Sequence, residues 1–151
     1  MNIHVKRTPL SDNLPFQMPL LTSHLRTEEG ADDAAITNIG LAAAAEVEQF
    51  GQVSLLLQDI TITLFDPLFD RQVLVLPIGP LVDAITPTIT VDGEPFTQFD
   101  FTTGLRPSLR WFCGPSSLTP EKMVITYRAG FGETAEDVPA DLAQALMDQA
   151  A

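Results

Sequence analysis

The hydrophobic period of the chain switches at Gly51, and that switch narrows the folds open to it. Before Gly51, Ile36, Ile39, Ala43, Val47 and Phe50 recur at three- and four-residue spacing, the stripe of an amphipathic helix. After it, "LLLQDITITLF" alternates Ile60, Ile62 and Leu64 with Thr61 and Thr63, the two-residue period of a strand with one buried face. The first pattern predicts a helix over 33–50, capped by Asp32 or Asp33 and ended by Gly51. Ala42 to Ala45 give it a smooth face for another helix to approach.

Strand patterns then continue to Tyr127. "RQVLVLP" is a short apolar strand stopped by Pro77. "DAITPTITVDGEPFTQFDF" reads as a hairpin turning at Asp92-Gly93, with Val91 and Phe96 leading away on either side. Pro87 in its first arm argues for an edge strand or a bulge. "SLRWFCG" and "KMVITYR" supply two more strands, separated by the turn-like "GPSSLTPE". Helical character returns after "GFGETAEDV". Pro139, with Asp141 close behind, opens a helix over 139–151 in which Leu142, Ala145, Leu146 and Gln149 share a face. A shorter helical turn over 20–26, with Leu21 and Leu25 four apart, precedes a break at Gly30.

The order is therefore short helix, long helix, five or six antiparallel strands, helix. This predicts an α+β fold: a small helical bundle formed by both ends of the chain, with an antiparallel β-sheet insert over 53–128. A length of 151 residues suits one domain, read here as 20–151. Residues 1–19 hold three prolines and few periodic apolar positions, and read as an extended N-terminal arm outside the folded part.

Composition excludes several functions. The net charge of -12 and pI near 4.2 oppose binding of nucleic acid by a basic groove, yet suit a surface that nucleic acid slides past. The single cysteine, Cys113, makes no internal disulfide and belongs to no zinc spacing; it reads as a small hydrophobe beside Trp111 and Phe112. The first residues lack an apolar signal core and no apolar run is long enough to span a bilayer, so the expectation is a soluble protein made in the cytoplasm with no membrane partner. Glu28, Glu29, Asp32 and Asp33 crowd one loop and Glu133, Glu136 and Asp137 another, without the ladder of a calcium site; both read as solvated capping clusters. Asp66 and Asp70 read as turn chemistry. "GFG" is not a phosphate loop, Ser116 and Ser117 lack a nucleophile elbow, and His24 reads as a packing or hydrogen-bonding residue. No catalytic residue, metal ligand or cofactor is expected, and the chain does not read as an enzyme. Arg106, Arg110 and Trp111 form a basic-aromatic cluster suited to an interface.

Four stretches in order carry a resemblance. "PLLTSHLR" with "DDAAITNIGLAAAAEVEQF", "LLLQDITITL", "LPIGPLVDAITPTITVDGE" and "VITYRAGFGETAEDVPADLAQAL" together resemble the head–tail connector, or adaptor, proteins of tailed bacteriophages and related prophage elements. The resemblance covers about residues 19–147. It implies a structural virion protein that forms a ring beneath the portal, with the portal's twelve-fold symmetry. Such a ring extends the DNA channel and docks the next neck or tail component. The implied partners are the portal protein, neighbouring adaptor subunits, a downstream neck or tail protein, and genomic DNA passing without specific binding. The implied location is the neck of the virion, after assembly in the host cytoplasm. In this reading Gly130, Phe131, Gly132 and Pro139 form a structural corner that clamps the closing helix to the opening pair. Lys6 and Arg7 in the arm, the hairpin tip at Asp92 and Gly93, and Arg106, Arg110 and Trp111 are candidate assembly contacts. Two departures stand out. The opening helix is short and lacks the acidic and lysine residues usual before its His-Leu, and the chain stops within the closing helix, so portal-contacting residues do not carry over. Two other readings are a tail-completion or tail-terminator ring subunit and a carboxylate-metal hydrolase.

Overall fold

A computed structural model describes residues 2–26, 33–67, 73–112 and 119–151. Gly30, Glu28, Glu29, Asp32, Asp70, Cys113, Ser116 and Ser117 lie outside the described residues. In chain order the elements are β1 (Asn2–Pro9), α1 (Met18–His24), α2 (Asp33–Gly51), β2 (Gln58–Phe65), β3 (Val73–Val75), β4 (Thr88–Val91), β5 (Glu94–Pro95), β6 (Phe99–Thr102), β7 (Ser108–Trp111), β8 (Lys122–Ala129), a 3-10 turn (Ala135–Asp137) and α3 (Ala140–Ala150).

The alternation in 58–65 does what its period requires. Gln58, Ile60, Ile62 and Leu64 are buried, and the residues between them are only half-buried. β2 pairs antiparallel with β8 on one side and β1 on the other, in a five-stranded sheet of order β1-β2-β8-β4-β5. A three-stranded sheet, β3-β7-β6, packs against its buried face. Ile60, Ile62, Leu64, Ile89, Met123, Ile125 and Tyr127 from the first sheet meet Leu109 and Trp111 from the second in one hydrophobic cluster. A second cluster joins the helices: Phe16, Leu21, Ile36, Ala43 and Ala44 with Leu55, Val138 and Leu146. The expected α+β class, with helices from both ends of the chain packed beside an antiparallel sheet region, is the class observed.

Several local expectations are corrected. The strands number eight among the described residues and form two sheets, against the five or six expected in one. Residues 2–9 are extended, as expected, but are not an arm outside the fold: all eight pair with β2, from Asn2 opposite Phe65 to Pro9 opposite Gln58. On α2 the buried line runs through Ile36, Gly40, Ala43 and Ala44. Ile39 is 44% exposed and Phe50 95%, so both leave the predicted stripe. The helix also runs through Gly51, and Gln52 takes the left-handed conformation at φ 52°. On α3, Leu142, Ala143, Leu146, Met147 and Ala150 face the helical cluster, whereas Ala145 and Gln149 are exposed. Pro139 is the residue before the first helical turn. β4 lies inside the sheet order, and Pro87 immediately precedes it rather than bending it.

Candidate functional site

The sheets and the helices are joined where three segments of chain meet: 52–57 after α2, 78–80 before β4, and 130–132 after β8. Ser54 N donates to Gly79 O at 2.8 Å and Gly79 N to Gln52 O at 3.2 Å. Gly130 N donates to Pro80 O at 3.0 Å, Phe131 N to Leu55 O at 3.3 Å, and Leu57 N to Gly132 O at 3.0 Å. The corner foreseen in "AGFG" is therefore stitched to the link that carries α2 into β2.

Its two glycines are required for different reasons. Gly130 has φ 139°, and a Cβ there would lie 2.6 Å from the Leu56 carbonyl, so both conformation and space exclude a side chain. Gly132 has no such φ; a Cβ there would run into the Asp137 side chain. That carboxylate closes a capping box with Thr134, accepting from Thr134 N at 3.2 Å. Beyond it Val138 is buried in the helical cluster and Ala143 N donates to Pro139 O at 2.9 Å as α3 begins. Asn13 Nδ2 donates to Glu133 O at 2.9 Å, tying the N-terminal segment to the same corner.

Two polar groups beside the joint escaped the sequence reading. Glu48 Oε2 accepts from Arg7 Nη1 at 3.3 Å, Leu55 N at 3.0 Å and Gln58 Nε2 at 2.9 Å, so one carboxylate holds β1, α2 and the start of β2 together. Burial raises its pKa above the ordinary carboxylate value, and the Leu55 amide and Arg7 only partly offset that. A signal was present: Glu48 follows the buried Ala44 by four residues, on the inward side of α2. Tyr127, buried in β8, donates its hydroxyl to Ile78 O at 2.8 Å and accepts from Ile78 N at 3.2 Å. Burial is the main reason its pKa is pushed up to about 12.

The other sequence candidates are placed as follows. Lys6 is exposed on β1. Arg7 is engaged within its own chain, by Glu48 and by Val53 O at 2.9 Å. Asp92 and Gly93 form the β4–β5 turn, both at positive φ, but the tip is anchored: Asp92 Oδ1 accepts from Glu121 N and Lys122 N, each at 2.9 Å. Arg106, Arg110 and Trp111 do not form one cluster. Trp111 is buried between the sheets, Arg110 is exposed on the opposite face of β7, and Arg106 donates to Gln52 Oε1 at 3.3 Å. His24 is a bonding residue, 3.3 Å from Asp148 Oδ1 across α1 and α3.

An open groove of about 590 Å³ runs between α2 and α3, lined by Val47, Phe50, Leu142 and Ala145 with Glu46 and Gln49 beside them. Among the described residues no group of three or more His, Cys, Asp or Glu is placed to hold a metal ion, and no helix is long and apolar enough to cross a membrane. The arrangement offers a hydrogen-bonded joint and exposed surfaces; Glu48 and Tyr127 beside it bond backbone and side-chain groups of their own chain.

No family model and no curated protein matches the chain. Solved structures do. It is similar to a chain from the neck of an empty gene transfer agent particle computed with C6 symmetry, with a TM-score of 0.80 at 23% identity, over 97% of this chain and 81% of that one. A chain from the virion of the native gene transfer agent particle gives 0.79 at 24% identity, over 97% and 81%. A chain from the neck of the native particle computed with C12 symmetry gives 0.77 at 20%, over 97% and 80%. At these identities the likeness shows the fold: an α+β domain shared, nearly end to end, with chains from virion and neck structures. Necks are where the sequence resemblance placed its family.

Proposed function

We propose that the chain is a non-enzymatic structural subunit of the neck of a phage-like particle. It forms a ring beneath the portal, extends the path of the DNA and carries the next neck or tail component. The observation that carries this reading is the near-complete match to chains of gene transfer agent necks, at a TM-score of 0.80 over 97% of the chain. Necks computed with C6 and C12 symmetry support a cyclic arrangement, and the resemblance to head–tail connectors favours twelve copies. The net charge of -12 fits a wall that passing DNA does not adhere to. The joint at Gly130 and Gly132 supports a structural role, since it fixes how the helices sit against the sheets.

The test is to delete the coding sequence in the phage or element that encodes the protein and image the products. DNA-filled heads without tails are expected, with restoration on supplying the protein in trans. Normal tailed particles would contradict the reading, and free tails of irregular length would shift it to a tail terminator.

A further inference from the structure

The eight residues of β1 form one edge of the five-stranded sheet. Leu10 N donates to Leu57 O, one step beyond the pairing of Pro9 with Gln58. Backbone groups alternate in direction along an antiparallel strand, so Thr8, Lys6, His4 and Asn2 also turn theirs toward β2. Ile3, Val5 and Arg7 therefore aim their N–H and C=O groups away from the sheet. Among the described residues none of those groups has a hydrogen-bond partner. Pro9 shares the outward phase, where a residue without an N–H costs the ladder nothing.

The same edge leaves the core between the sheets open. Ile3 stands opposite Leu64 and Val5 opposite Ile62, so both side chains lie on the face that packs against the second sheet. Yet they are 53% and 44% exposed. The other edges are blunted. β5 is two residues long and includes Pro95. On β6, Phe112 N donates to Gln98 O, which puts Phe101 N in the outward phase, and Asp100 Oδ1 already accepts from it at 2.8 Å. β3 spans only three residues.

We propose that β1 is a docking edge, and that an extended segment of a different neck protein adds to it as a further strand of the sheet. The occupant follows from what the edge leaves unmet. Unpaired donors and acceptors at a two-residue period select an extended backbone. Ile3 and Val5 select apolar side chains at alternate positions. On the opposite face Lys6 is exposed and pairs with no carboxylate among the described residues, which selects acidic residues between the apolar ones. A second copy of this chain does not supply that segment. Two β1 strands paired antiparallel about Val5 or Lys6 set Lys6 against His4 or a second Lys6, with no carboxylate on either strand. β3 holds no acid, and β6, with Asp100 between two phenylalanines, has its outward amide occupied. The proposal rests on the neck reading for the source of the partner, but not for the edge itself.

The test uses the full purified chain and a blocked peptide in which valine alternates with glutamate, at about 0.15 M salt, where a Debye length of about 8 Å screens the chain's distant charges. The peptide is expected to bind and to slow hydrogen exchange at the amides of Ile3, Val5 and Arg7 at least about tenfold. Val5→Pro removes an outward donor without touching the β1–β2 ladder, and should weaken binding at least about tenfold. Lys6→Glu keeps every backbone group, and should shift preference from the glutamate peptide to one with lysine in its place. No slowing of those three amides at millimolar peptide overturns the edge. Equal binding by Val5→Pro, or by a peptide N-methylated at alternate amides, overturns it too. Wild-type self-association that Val5→Pro abolishes makes the occupant a second copy and overturns the choice of partner. In particles, Val5→Pro chains that enter necks but leave heads tailless support the docking. Normally tailed particles of that variant overturn it while leaving the neck reading intact; a wild-type chain that binds the peptide but is missing from necks does the reverse.

Discussion

The two hydrophobic clusters are built from different materials. Between the sheets, the core is large and branched: Ile60, Ile62, Leu109, Met123, Ile125 and Tyr127 are almost wholly buried. Between the helices, much of it is small: Gly40, Ala43 and Ala44 let α2 approach its neighbours closely, and Val47 and Leu142 remain half-open to a groove. The helical half compensates with polar stitches, Glu48 to Arg7 and Gln58, His24 to Asp148, and Gln149 to Glu46. The sheet half is suited to stay fixed, and the helical half to present a surface.

The comparison can be broken most directly by cutting both cores. Ile125 and Leu146 are each fully buried. Ile125→Ala, in a site walled by large side chains that cannot close in, is expected to cost about 3–5 kcal/mol. Leu146→Ala, beside a groove that can relax, should cost about 2–3 kcal/mol. Denaturant unfolding measures both, and a larger loss at Leu146 would erase the distinction.

The joint between the halves comes next. Gly130→Val forces a β-branched residue to φ 139° against the Leu56 carbonyl and should cost about 1–3 kcal/mol or more, while Glu136→Ala, in the exposed acidic loop, stays within about 0.5 kcal/mol. Equal midpoints for the two would remove the clamping role of the corner.

Tyr127→Phe sharpens the sheet side. It leaves Ile78 N and O without their partner and should cost about 1–3 kcal/mol. Its folded pKa, near 12, lies above the unfolded value of 10.0, so its contribution is complete below pH 10 and is lost as pH rises toward 12. The phenylalanine variant should lack that share of the alkaline loss.

Glu48→Gln tests the helical side with the smallest effect. A carboxyl whose folded pKa is raised above 4.5 binds its proton more tightly folded than unfolded. Its contribution is therefore fully present below 4.5 and falls as pH rises through the folded value. Wild-type stability minus that of Glu48→Gln should decline across that window, and a difference that climbs there would reverse the assignment.

What the sequence disclosed follows the same division. β2 was legible because burial on one face imposes strict alternation, and the β4–β5 turn because Asp92-Gly93 is one of few pairs that accept positive φ twice. β1 was not: prolines follow it, and its partner strand begins near residue 58, beyond any local pattern. Phe50 keeps nearly the azimuth of the stripe but sits on the last turn of α2, and helical spacing carries no information about whether a neighbouring element covers that turn; the buried line runs through Ile36, Gly40, Ala43 and Ala44 further back. Trp111 and Arg110 were grouped by adjacency although a strand sends neighbours to opposite faces. At the candidate site, Gly130, Gly132 and Pro139 were readable as backbone punctuation. Arg7 and Glu48 were not, since their pairing spans 41 residues.

The most direct measurement of the central claim is a cryo-EM reconstruction of the neck of particles made by the phage or element that encodes this chain, computed with and without imposed symmetry. The expected result is a ring directly beneath the portal whose density fits this fold, helices and sheets related as the joint at Gly130 sets them. A neck without this chain, or the chain found only elsewhere in the particle, would contradict it.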